Sequence, residues 1–161
     1  MNREAYYKLQ NGSDIRGVAL EGIEGEHVNL TSEAAKDFAK SFVHFVAKRT
    51  GKKPEELKLA VGHDSRLSAE QLKTAVIDGM TETGAAAVDC GLSSTPSMFM
   101  ATVLPGLEYD GSVMITASHL PFNRNGLKFF TKEGGLEHED IHEIIKDAVE
   151  EVYTEYVPEE K

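Results

Sequence analysis

Two apolar runs flanking one polar loop, residues 111–131 (GSVMITASHLPFNRNGLKFFT), constrain this chain more than any other stretch. Ser112-Val113-Met114-Ile115 and Leu127-Lys128-Phe129-Phe130 are rich in Val, Ile and Phe, which suit a pleated surface, while Pro121, Asn123, Asn125 and Gly126 punctuate the stretch between them. The pattern predicts two strands presenting a loop over residues 116–126. Ser118 offers a hydroxyl there and His119 an imidazole, and Arg124 and Lys128 add cationic donors close to that hydroxyl. Cations beside a serine suit an oxygen that carries phosphate better than one that attacks an amide, so the expected ligand is an anion.

The remaining elements alternate between helix and strand. Thr31 or Ser32 can cap a helix with Ala35, Phe38, Ala39, Phe42, Phe45 and Val46 at helical spacing, ending near Thr50-Gly51. A buried strand is expected at 57–61, with His63-Asp64-Ser65-Arg66 in the loop at its carboxyl end, where open α/β sheets collect ligands. Ser68-Ala69-Glu70-Gln71 reads as a capping box for a second helix. A strand at 85–90 follows, then a short helix at 96–104 capped by Thr95 with Pro96 first inside. The last helix, about 137–153, is apolar at Ile141, Ile144, Ile145, Ala148, Val149 and Val152. His138 and His142 lie four apart on it, as two zinc ligands would, but the acids around them form no known metal arrangement, and solvated side chains are the expected reading. The expected fold is a three-layer α/β/α sandwich whose mixed four-stranded sheet uses strands near 58–62, 85–90, 112–116 and 127–131.

The loop and three other stretches together resemble the α-D-phosphohexomutases, the phosphoglucomutase/phosphomannomutase superfamily. Thr116-Ala117-Ser118-His119-Leu120-Pro121 with Asn125-Gly126-Leu127-Lys128 is similar to that family's active-site serine loop, T-[AG]-S-H-N-P followed by N-G-x-K, with Leu120 where Asn is usual. Ser13-Asp14-Ile15-Arg16-Gly17 resembles its Y-D-I-R-G, Gly62-His63-Asp64-Ser65-Arg66-Leu67-Ser68 its G-R-D-x-R-x-S, and Gly91-Leu92-Ser93-Ser94-Thr95-Pro96 its G-x-x-x-T-P. The resemblance supplies part of the sheet topology and makes residues 1–157 the first of four domains, with 158–161 starting a linker.

What the resemblance implies is a serine, Ser118, that rests as phosphoserine, donates its phosphoryl group to a hexose monophosphate and recovers one from the resulting 1,6-bisphosphate. Lys128 becomes the general acid/base, and His119 and Arg16 hold the phosphoryl group and the serine. Arg66, Asn125 and Arg124 support phosphate or substrate, with Arg66 expected to act structurally through Asp64. Mg2+ would touch Ser118 through its phosphate while other domains supply most of its ligands, and glucose 1,6-bisphosphate would activate. The partners implied are the hexose phosphate and the other three domains, and the isolated chain is expected to be inactive. Asp14-Ile15-Arg16-Gly17 with Thr116-Ala117-Ser118-His119 resembles glucose and mannose phosphate mutases more than phosphoglucosamine mutase, which stays an alternative.

Composition narrows the other possibilities. A formal charge of −10, with no Lys and Arg cluster to offset it, argues against a nucleic-acid surface. One cysteine, Cys90, expected to be buried or half-buried, makes no intrachain disulfide and suits the cytoplasm. No stretch approaches the ~20 apolar residues of a membrane span, so no membrane partner is expected. A serine hydrolase needs a histidine facing the hydroxyl and an acid behind it, whereas His119 is adjacent in sequence and no G-x-S-x-G elbow occurs. A catalytically inactive module that binds phosphorylated ligands or partner domains is the second class.

Overall fold

A computed structural model describes residues 3–104, 106–117 and 120–150. After a short 3-10 helix at Arg3–Leu9, the elements are β1 (Gln10–Asn11), β2 (Asp14–Val18), α1 (Ser32–Thr50), β3 (Lys58–His63), α2 (Ala69–Glu82), β4 (Ala86–Leu92), α3 (Thr95–Val103), β5 (Gly111–Ile115), β6 (Arg124–Thr131), β7 (Gly134–Gly135) and α4 (His138–Glu150). The strands form one mixed sheet in the order β1-β2-β6-β5-β3-β4, with β7 also paired to β6. β3 runs parallel to β4 and to β5, whereas β6 is antiparallel to both β5 and β2.

The expected α/β class holds, but the sheet has seven strands where the sequence pattern gives four. β1 and β7 are two residues long and carry no readable alternation. β2 is held by its ladder to β6, Arg16 opposite Gly126 and Gly17 opposite Asn125, so its signal lies in main-chain pairing. The same ladder starts β6 at Arg124, three residues before the apolar run. Cys90 is exposed, contrary to expectation, because β4 is an edge strand.

Crossover handedness explains the layers. β4 and β5 flank β3 on opposite sides, and right-handed parallel crossovers in opposite lateral directions put their helices on opposite faces. Accordingly α2 joins α1 and α4 in the larger core, with Phe38, Phe42, Val76, Met80, Ile141 and Ile144 against Val61, Val113, Ile115, Leu127 and Phe129. α3 covers the other face with a smaller cluster, Met98 and Ala101 against Ala60, Met114 and Phe130. Met100 and Val103 of this helix, and Leu104 just after it, stay exposed.

Helix ends follow local chemistry. Thr31 Oγ1 accepts the Ala34 N–H at 3.0 Å, and α1 stops at Gly51, whose φ of 71° is open to glycine and whose N–H donates to the Ala47 carbonyl. On α3 the cap is Ser94, one residue before the expected Thr95, with its Oγ accepting the Ser97 N–H at 3.2 Å.

Candidate active site

The order in which parallel strands are added reverses at β3, and the loops at the carboxyl ends of β3 and β5 meet there, at the kind of switch point where α/β sheets bind ligands. Thr116, just after β5, donates from Oγ1 to Asp64 Oδ2 at 2.7 Å, and Asp64 Oδ1 accepts the Arg66 N–H at 3.1 Å. Arg66 then reaches across to the serine loop. Its guanidinium donates to the carbonyls of Leu120 and Pro121, each at 2.8 Å, and of Arg124 at 3.0 Å, with Asp64 Oδ2 3.6 Å from Nε. One planar cation thereby fixes two carbonyls of the loop and one at the start of β6. Leu120 contributes its carbonyl to this hold, a group that does not depend on the side chain at that position.

The loop is closed at its base by the Thr116 N–H donating to the Gly126 carbonyl at 3.0 Å. Inside it, Leu120 N–H donates to Ala117 O at 3.1 Å and Arg124 N–H to Pro121 O at 3.0 Å. Asn125 is buried. Its Oδ1 accepts the Gly126 N–H at 2.9 Å and its Nδ2 donates to Ser68 Oγ at 2.8 Å. Ser68 is therefore committed to the loop and makes no side-chain cap for α2, so the capping box expected at residues 68–71 is not formed. A hydroxyl serves either purpose, and the buried amide claims it.

Strand alternation brings two of the expected cations to the loop's base. Ile15 and Leu127 point into the larger core, which turns Asp14, Arg16, Gly126 and Lys128 to the face that α3 shares. A Cβ on Gly126 would lie 2.5 Å from the Ile15 carbonyl oxygen and 2.9 Å from both Arg16 Cγ and the Thr116 carbonyl oxygen, so only glycine lets Arg16 cross there. Lys128 Nζ lies 3.0 Å from Asp14 Oδ1, and Arg16 Nη2 lies 3.2 Å from Asp14 Oδ2. β6 is internal to the sheet, so Lys128 is not an edge-blocking lysine.

Arg124, the third expected cation, pairs with an acid of the 20–30 connection. Its guanidinium donates to Glu26 Oε1 at 2.9 Å, which also accepts from Asn123 Nδ2 at 3.2 Å. The Asn123 hydrogen bond, and then that of Arg124, hold the Glu26 carboxyl below the usual carboxylate range. Arg124 thus anchors the loop to the 20–30 connection. Ser118 and His119 lie outside the described residues, as do residues 151–161 with the expected helix end and linker.

The acids near the loop, Asp14 and Asp64, are occupied by cations and a hydroxyl, and among the described residues no group of three or more His, Cys, Asp or Glu could hold a metal ion. The described side chains do not by themselves fit Mg2+. Asp14 and Ser68 are the site-forming residues that sequence reasoning left out. The signal for Asp14 was its position two before Arg16, which puts both on one strand face.

Residues 8–155 match the sequence model described as phosphoglucomutase/phosphomannomutase, alpha/beta/alpha domain I. The chain belongs to this family. A phosphoglucosamine mutase of Caldicellulosiruptor saccharolyticus is 33% identical over 142 residues, covering 88% of this chain and 29% of that protein. A phosphoglucosamine mutase of Caldanaerobacter subterraneus is 40% identical over 98 residues, covering 61% of this chain and 21% of that protein. Among solved structures, a phosphoglucomutase/phosphomannomutase family protein from Burkholderia thailandensis aligns with a TM-score of 0.70 at 27% identity, covering 87% of this chain and 29% of that one. This domain I chain spans under a third of the length of these relatives.

Proposed function

We propose that this chain is the active-site serine domain of a phosphohexomutase, moving a phosphoryl group between the 1 and 6 positions of a hexose through phosphorylated Ser118 and a hexose 1,6-bisphosphate. What supports the reading is the pair Arg16 and Lys128, brought by β2 and β6 to the base of the Thr116–Gly126 loop while Arg66 pins the backbone of that loop. Phosphoryl transfer depends on positioning and charge neutralisation, and this frame supplies fixed donors on a rigid sheet. Lys128 takes the proton from the attacking sugar hydroxyl; Arg16 and His119 grip the phosphoryl oxygens. The carboxylates for Mg2+, the grip on the far end of the sugar and the bisphosphate site belong, in this proposal, to the rest of a four-domain cytoplasmic enzyme, so the chain alone turns over no substrate.

Two observations point to different sugars. The curated relatives at 33% and 40% identity are named phosphoglucosamine mutases, which favours glucosamine phosphate. The Asp14-Ile15-Arg16-Gly17 motif favours glucose or mannose phosphate. The test is a mutase assay of the whole polypeptide carrying this chain, with glucose, mannose and glucosamine phosphates and Mg2+. Ser118→Ala is expected to remove nearly all turnover with the preferred sugar; turnover near that of the unmutated protein overturns the reading.

A further inference from the structure

We propose that Asp14 is a built-in counter-anion of this site: its carboxylate spans Arg16 and Lys128 and is displaced from them when a phosphate binds, so it aligns the two cations at the expense of anion affinity. The proposal rests on the phosphohexomutase reading of the loop for its purpose, though not for its test. Asp14 is only 8% exposed, and each carboxylate oxygen is taken by a different cation, Oδ1 by Lys128 and Oδ2 by Arg16. The other charged groups facing the loop are matched elsewhere, Arg124 by Glu26 and Arg66 by Asp64 and three carbonyls. Among the described residues Arg16 and Lys128 are therefore the cations that Asp14 alone brings together. Arg16 Nε is moreover buried and matched by no acceptor among the described residues, a donor still available to an incoming oxygen.

Two like charges side by side in a half-buried site repel, and a shared carboxylate cancels that repulsion while fixing both side chains. A phosphate can make the same contacts with more charge and more oxygens. It must first replace Asp14, and afterwards Asp14 faces it as a like charge. The carboxylate thus weakens phosphate binding while holding Arg16 and Lys128 in place until the phosphate arrives.

The experiment titrates inorganic phosphate into the 161-residue chain, followed by NMR. Asp14→Asn is expected to tighten the dissociation constant by about tenfold, the sign opposite to that of a merely structural lesion. Adding Lys128→Met to Asp14→Asn is expected to erase that gain. Equal or weaker phosphate affinity in folded Asp14→Asn, or no detectable binding by either form, overturns the proposal. Should the variant not fold, the carboxyl-carbon resonance of Asp14 in the unmutated chain decides: it must move along the phosphate binding curve, and a resonance that stays still overturns the proposal. Phosphate affinity is independent of turnover, so a dispensable Ser118 would defeat the mutase reading and leave this result standing.

Discussion

The two faces of the sheet are built on different terms. One is buried under α1, α2 and α4 and holds the large aromatic residues Phe38, Phe42 and Phe129; the other has α3 alone and, beyond it, the charged strip of Asp14, Arg16 and Lys128. Phe129 and Lys128 are neighbours on β6 and share its backbone, yet point to opposite faces. The lesson is that stability and chemistry are segregated by strand alternation, within one strand. A face packed to the density of a core positions the backbone, and the less covered face can then hold groups that cost stability.

The segregation can be attacked from either side. Phe129→Ala is expected to have the largest effect on folding, about 3–5 kcal/mol, since the ring is 1% exposed and packs 4.7 Å from Phe42. Urea unfolding measures it; a loss below about 1 kcal/mol would mean that the core face does not carry the fold. Next is pH. His44, buried on α1, has its imidazole pushed down to about 4, first by burial and then by Lys48. Above about pH 6.5 it is neutral folded and unfolded. Below that the unfolded chain takes the proton first, so stability falls between pH 6.5 and 4 by up to about 3 kcal/mol. His44→Gln is expected to remove that share of the pH dependence, and an unchanged slope would contradict it.

Changes on the site face are expected to cost less. Arg66→Ala removes three carbonyl contacts from a partly exposed side chain and should cost about 1–2 kcal/mol. Its mark should be faster hydrogen exchange at the Leu120 and Arg124 amides, with little change in α1. Lys128→Met comes last, within about 1 kcal/mol of stability, because its partner pair is only half-buried. In the whole polypeptide the same change should lower kcat by about 10² to 10⁴ with a smaller change in KM. A rise in KM at constant kcat would make Lys128 a binding residue only.

Much of this division was legible in the sequence. Val113, Ile115 and Phe129 declared the strands by residue type, the Phe38–Phe42–Phe45 spacing declared α1, and the four motifs declared the family. What stayed hidden depends on register between distant segments. β2 forms because Arg16 and Gly17 meet Gly126 and Asn125 across the ladder, and nothing in residues 14–18 alone foretells that pairing. Ser68 carries a cap signature and serves Asn125, 57 residues away, because local motifs cannot report a competing buried amide. The hydrogen bond of Arg124 to Glu26, 98 residues away, was hidden for the same reason.

The most direct test of the central claim is where phosphate becomes covalently attached. The whole polypeptide carrying this chain is incubated with glucose 1,6-bisphosphate and Mg2+, digested, and its peptides mapped by mass spectrometry. The expected result is a phosphoryl group on Ser118 that Ser118→Ala abolishes. Phosphate on a different residue, or an active mutase in which Ser118 is never phosphorylated, would contradict it.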